Sequence, residues 1–250
     1  MMESPVIVFV VATGVLWLSA GLGAWLGKWR HKLGEDERQD FSVILAATLT
    51  LLGLVIGFTF SMAVTRYDQR KNYEEEEANA IGTEYLRMTL LPAADAAKAR
   101  ALLVSYLEQR IKFYVTTDDR RIAQINADTS RLKSELWSTV RAAAASQPTP
   151  TMALAVAGLN DVLNSQGYTE AAWWNRIPAA AWAMMAVIAT CCNLLFGYTT
   201  RHVGRNSRLF LVLPLIVSVS FFLIADLDSP RHGVIQVRPQ NLISLAQSIV

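Results

Sequence analysis

Hydrophobic positions along this chain fall into two paired apolar blocks, at 1–66 and 173–226, flanking an amphipathic segment, 67–172. Val6–Leu26 is apolar throughout. About 20 such residues, rising 1.5 Å each, cross the roughly 30 Å of a bilayer's hydrocarbon. The preceding Met1 to Pro5 lacks the basic start of a signal peptide, so this first span is expected to be a retained anchor. Gly23 and Gly27 form a GxxxG pair that lets another helix approach closely, and Trp25 and Trp29 suit the interfacial belt.

After a charged connector, Lys28–Asp40, the second span runs uncharged from Phe41 to about Val64, with a second GxxxG pair at Gly53 and Gly57. Its helical pattern does not stop there: Arg66 through Arg87 contains no proline, and Gly82 is its lone glycine. One long helix is therefore predicted to leave the membrane and end near Leu91-Pro92.

Apolar residues then recur at helical spacing in Ala93–Val115 (Leu102, Leu103, Tyr106, Leu107, Phe113, Tyr114) and again at Ile122, Ile125, Leu132, Leu136 and Val140. Thr117 is the expected cap of the latter helix. Past Ser146-Gln147-Pro148-Thr149-Pro150, a short helix is predicted from Thr151 to about Asn164. Trp173, Trp174 and Arg176 read as an interface anchor before a third span, Ile177–Tyr198. A basic loop, Arg201–Arg208, leads to a fourth span, Leu209–Ala225, which Pro214 would kink. The tail, 227–250, is expected to close with an amphipathic helix carrying Leu242, Leu245 and Ile249. The fold class is an all-α integral membrane protein with four transmembrane helices, a helical soluble domain between the second and third, and an elongated second helix.

Composition sharpens this. Of the 250 residues, 52% are hydrophobic and 18% charged, below the roughly 25% of a soluble domain. A net charge of +2 with scattered cations gives no nucleic-acid footprint. Cys191 and Cys192 are adjacent and poorly placed for a mutual disulfide, so they read as small hydrophobes. His31, His202 and His232 are isolated; neither a metal site nor a cofactor is expected. No catalytic motif is found, which makes an enzyme the least supported class.

Four spans put both termini and the soluble segment on one side. The short loops carry Lys28, Arg30, Lys32, Arg38, Arg201, Arg205 and Arg208, against Arg66, Arg70, Lys71, Arg176, Arg231 and Arg238 on the other side. This near tie leaves orientation open.

The second span also carries the candidate chemistry. Thr50, Leu54, Phe58, Ser61 and Thr65 recur at spacings of four, four, three and four, making one stripe. Two readings fit: ordinary packing, with hydroxyls bonding across helices, or a pore wall constricted by Leu54 and Phe58 between hydroxyl rings. A pore wall of one helix per chain requires a cyclic homo-oligomer. Projected onward, the stripe meets Asp68 or Gln69, then Asn72, Glu76 and Asn79. A Glu76 ring would favour cations. Arg66 and Arg70 lie to one side and could pair with Glu74 or Glu77, or lend positive potential to an inner mouth. The run Glu74–Glu77 reads as a solvated or subunit-bridging face.

Gly57-Phe58-Thr59-Phe60-Ser61-Met62-Ala63-Val64-Thr65-Arg66-Tyr67 resembles the pore-lining second helix of the bestrophin chloride channels. With Arg70-Lys71, Glu77-Ala78-Asn79-Ala80-Ile81-Gly82-Thr83, and the ending Leu227-Asp228-Ser229-Pro230 and Gly233-Val234-Ile235, the chain is similar over nearly its whole length to the bestrophin-like domain family of bacterial and plant membrane proteins. The resemblance implies an anion-conducting homopentamer in the bacterial plasma membrane, its soluble segment in the cytosol, with lipid, inorganic ions and its own copies as partners. Phe58 and Leu54 match two neck positions; Thr50 stands where a third apolar residue would be. The calcium clasp is unmatched, since Arg231-His232 interrupts its start and no acidic run follows Gly233. The competing reading is a non-conducting scaffold or sensor whose helical segment binds a partner or ligand.

Overall fold

A computed structural model describes residues 4–29, 35–200 and 209–249. Its elements are α1 (Pro5–Trp29), α2 (Glu35–Arg87), a 3-10 turn (Met88–Leu90), α3 (Ala93–Val115), α4 (Asp119–Ser146), α5 (Pro150–Trp174), α6 (Ala179–Thr199), a 3-10 turn (Leu209–Leu211), α7 (Val212–Asp228) and α8 (Gln240–Ile249). No strand occurs among the described residues. The basic loop Arg201–Arg208, and Arg30 to Lys32 of the connector, lie outside them. The chain divides into two compact units: Met1–Arg66 with Arg176–Ile235, and Tyr67–Asn175 with Gln236–Val250.

In the first unit α1 packs on α6 and α7. The α1–α6 crossing is close enough that a methyl on Gly23 would overlap the Leu194 carbonyl, and one on Gly197 the Ala20 carbonyl. Ser19 Oγ donates to Thr190 O at 2.8 Å across the same crossing. Phe9 meets Phe222 edge-on, and Phe41 of α2 lies 5.0 Å from the Tyr198 ring. Outward positions such as Val10, Leu18, Val187, Ile216 and Val219 remain exposed, a surface that suits lipid.

Helices long and apolar enough to cross a bilayer lie within Pro5–Lys28, Gln39–Leu90 and Pro150–Thr199. α7 has 17 residues, at the lower edge of that range. The expected kink at Pro214 is corrected. α7 begins at Val212, so Pro214 occupies the first turn, where a missing N–H forfeits no intrahelical bond. The end of α7 is tied down by its own carboxylates. Asp228 Oδ1 accepts from Ile177 N at 3.0 Å, and Asp226 accepts from Val234 N and Ile235 N at 2.6 and 2.8 Å. Acidic groups at a helix C-terminus are electrostatically disfavoured, and these backbone donors offset that cost.

The second unit gathers the extension of α2 with α3, α4, α5 and α8 around Ile81, Met88, Leu103, Tyr106, Leu107, Leu136, Val140, Leu159 and Leu242. α2 gives way to its 3-10 turn at Met88, and Leu91 is extended before Pro92, as a residue preceding proline favours. Three expectations are corrected here. Asp118, not Thr117, caps α4: its Oδ1 accepts from Arg120 N at 2.8 Å and Arg121 N at 3.3 Å. α5 does not stop near Asn164 but continues to Trp174, because Gln166, Thr169 and Glu170 all have partners on neighbouring helices or on α5 itself. Trp173 is no interface anchor. It is 4% exposed, packed at 5.1 Å from Phe113 and 5.4 Å from Tyr114, while Arg176 donates to Asp228 O at 2.7 Å.

Candidate functional site

In the first unit α2 has two contrasting faces. Leu52, Val55, Thr59 and Ala63 are all at most 9% exposed and recur at spacings of three, four and four. Leu54 is 54% and Phe58 68% exposed, with Thr50, Ser61 and Thr65 exposed beside them. Ala63 follows Leu54 by about two and a half turns, so the sealed face and the Leu54–Phe58 stripe are opposite. The Thr50 and Thr65 hydroxyls turn back on their own helix, donating to Ala46 O and Ser61 O one turn earlier, each at 2.9 Å. A methyl group on Gly53 or Gly57, flanking the stripe, would meet nothing within 4 Å. Among the described residues this surface has no packing partner.

In the second unit the polar continuation is exposed as well: Asp68, Gln69, Asn72, Glu76 and Asn79. The two arginines are not alike. Arg66 is half-buried, whereas Arg70 is 2% exposed. Arg70 therefore sits on the sealed side of the extension, away from the stripe.

The acidic run is also divided. Glu75 and Glu76 are exposed, but Glu74 and Glu77 are buried at 1% and 0%, which corrects the reading of the run as a solvated or bridging face. A helix turns 100° per residue, so residues three apart return to nearly the same side. The buried seam of the extension reads Arg70, Glu74, Glu77, Ile81, Glu84 and Met88, a heptad alternation with four charged positions.

Each buried acid has a distinct setting. Glu77 receives the Arg110 guanidinium, through Nε and, at 3.4 Å, Nη2, with Tyr114 Oη at 3.3 Å and Thr169 Oγ1 at 3.1 Å. Arg110 also reaches Glu170 at 3.3 Å and lies over the Phe113 ring at 4.6 Å. Tyr106 Oη donates to Gln166 Oε1 at 3.0 Å, and Gln166 Nε2 to Glu170 at 2.7 Å. Burial, with Glu77 close by, pushes the Tyr106 and Tyr114 hydroxyls up, so both remain donors. Burial alone would favour loss of the Arg110 charge, but the charge and hydrogen bond of Glu77, with Tyr106 and Tyr114, together outweigh it and raise its pKa. Glu74 closes on α8: Asn241 N and Leu242 N donate to its Oε1 at 2.9 and 3.0 Å, and Asn241 Nδ2 to Oε2 at 2.6 Å. A carboxylate thus occupies the positive N-terminus of that helix.

Sequence reasoning missed this seam. Its signal was present in the three-four spacing shared with Ile81 and Met88, but charged residues do not advertise burial. Among the described residues no three His, Cys, Asp or Glu side chains converge on a common point, and Cys191 and Cys192 are both free thiols.

The chain resembles solved structures over almost its full length. Three variants of a bacterial bestrophin homolog from Klebsiella pneumoniae match it. One is 17% identical, with 96% of each chain covered and a TM-score of 0.63. A second is 15% identical, with 96% of this chain and 93% of that one covered and a TM-score of 0.65. The third is 16% identical, with 98% and 97% covered and a TM-score of 0.64. Identity this low shows the fold. No curated protein matches the chain. The profile of the bestrophin-like domain matches residues 14–242, which with the apolar helices makes this a membrane protein belonging to the bestrophin-like domain family.

Proposed function

We propose that the chain is one subunit of a homopentameric ion channel of the bacterial plasma membrane, crossing the bilayer four times with its second unit in the cytosol. The observation that carries this reading is the exposed face of α2 opposite its sealed face, with Leu54 and Phe58 at its centre. A face 68% exposed at a phenylalanine, in a helix apolar enough to cross lipid, needs either lipid or a copy of itself. The polar residues in register above and below Leu54 and Phe58 favour a water-filled lumen over lipid.

Magnitudes support five copies. Helices packed at 8–10 Å around a five-fold axis have centres about 7–8.5 Å from that axis. Side chains reach about 5–6 Å from a helix centre, which leaves a lumen about 2 Å in radius. An apolar ring of that size expels water and gates by dewetting.

Thr50, Ser61 and Thr65 are then hydroxyl rings around the constriction, and Asn72, Glu76 and Asn79 line the cytosolic vestibule. The permeant ion is an anion, by kinship with bestrophins. Of the two inner-mouth cations, Arg66 has the exposure to act on it more directly than the buried Arg70. The exposed Glu76 favours a second reading, a cation channel selected by a carboxylate ring. Reversal potentials of the purified protein in planar bilayers under asymmetric salt separate the two. Tracking of the anion gradient is expected, tracking of the cation gradient transfers selectivity to Glu76, and absence of unitary currents in both wild type and Phe58→Ala removes the channel.

A further inference from the structure

Glu84 is buried at 0% exposure in the second unit, and neither carboxyl oxygen has a hydrogen-bond partner. It lies between α2 and α5 directly over Gly158, where a methyl group would collide with its Oε2 and with Arg87 Nη1, which shares that space without bonding to it. Isolated ionised carboxylates are expelled from such surroundings or hold a proton. We propose that Glu84 is a proton-operated latch: neutral, it closes α2 on α5 over Gly158; ionised, it no longer fits there unless Arg87 turns to meet it.

The surrounding charges fit this role. On its own helix the nearby cation is Arg87, whose Nη1 is 3.9 Å from Asp161 of α5. Burial pushes the Glu84 pKa up to about 8 against the pull of Arg87, and the Asp161 charge adds to the rise. On α3, Arg100 is committed to Tyr85, Tyr106 to Gln166, and Arg110 and Tyr114 to Glu77, while Lys98, Glu108 and Lys112 are exposed and Asp95 is half-buried in the first turn. α8 contributes no titratable side chain. Ionisation releases the proton to water and leaves a carboxylate three residues from Arg87. Arg87, already beside it over Gly158, can close the remaining gap, giving up Asp161 and the tie between α2 and α5.

The test uses the full chain in detergent and does not read conduction, so it can fail independently of the channel assignment. The melting temperatures of wild type and Glu84→Gln, a neutral isostere, are compared across pH. An acid whose folded pKa is raised contributes fully below its ordinary value of 4.5, and that contribution is lost as pH rises towards 8. Glu84→Gln is therefore expected to melt several degrees higher, the gap widening up to pH 8 and constant above it. Hydrogen exchange around Gly158 should speed up in wild type relative to the variant above pH 8. The infrared carbonyl band of a protonated carboxyl should fade over the same step and be missing in Glu84→Gln. A pH-independent gap, or a variant less stable at every pH, would show Glu84 ionised and paired with Arg87 and overturn the latch.

Discussion

Phe58 and Leu52 sit on one helix with opposite fates, 68% and 2% exposed, and substitutions should separate assembly from subunit stability. Leu52→Ala removes a buried side chain and is expected to cost about 2–5 kcal/mol, seen as a lower melting temperature. Phe58→Ala should leave the subunit's own packing almost untouched and instead raise ion leak in liposome flux. The buried Glu77–Arg110 pair makes a sharper case. Arg110→Met strands Glu77 without its cation, for an expected loss of about 3–5 kcal/mol. The double variant Glu77→Leu/Arg110→Met should recover part of that loss, because the buried acid goes with its cation, while Glu170 and the Tyr114 and Thr169 hydroxyls each still lose a partner. The stripe at Leu54 and Phe58 was legible from spacing alone. The pairing of Glu77 with Arg110 was not, since its members are 33 residues apart in sequence and nothing local ties them.

At the level of elements, α2 was legible because proline is absent through Arg87, and its end because Pro92 forbids continuation. α5 was cut short in the sequence reading because Asn164-Ser165-Gln166-Gly167 is a poor helical run, and tertiary partners override that propensity. The two GxxxG pairs look alike in sequence and differ in the fold. Gly23→Val should disrupt the α1–α6 crossing, where the Leu194 carbonyl occupies the added volume, and lower yield of folded protein. Gly53→Ala has open space within the chain, so its expected effect is on the assembled complex, read by size-exclusion chromatography, and not on the monomer. The N-terminus of α8 closes on one acid. Glu74→Gln removes the charge opposite its N-terminus, worth about 1 kcal/mol, and faster hydrogen exchange across 240–249 is the expected readout.

For the whole molecule, long uninterrupted apolar runs made the membrane assignment readable, since lipid permits few backbone solutions. Gln236–Val250, remote in sequence, belongs to the second unit, where Asn241 meets Glu74. Function is less readable at this scale because the proposed site would be completed by other copies: one chain supplies a face, and a lumen would exist only in a ring. The mass of the detergent-solubilised complex, measured by light scattering or native mass spectrometry, therefore tests the account most directly. Five copies of the 27.6 kDa chain are expected. A monomer or dimer would contradict it, because one or two α2 helices cannot enclose a pore.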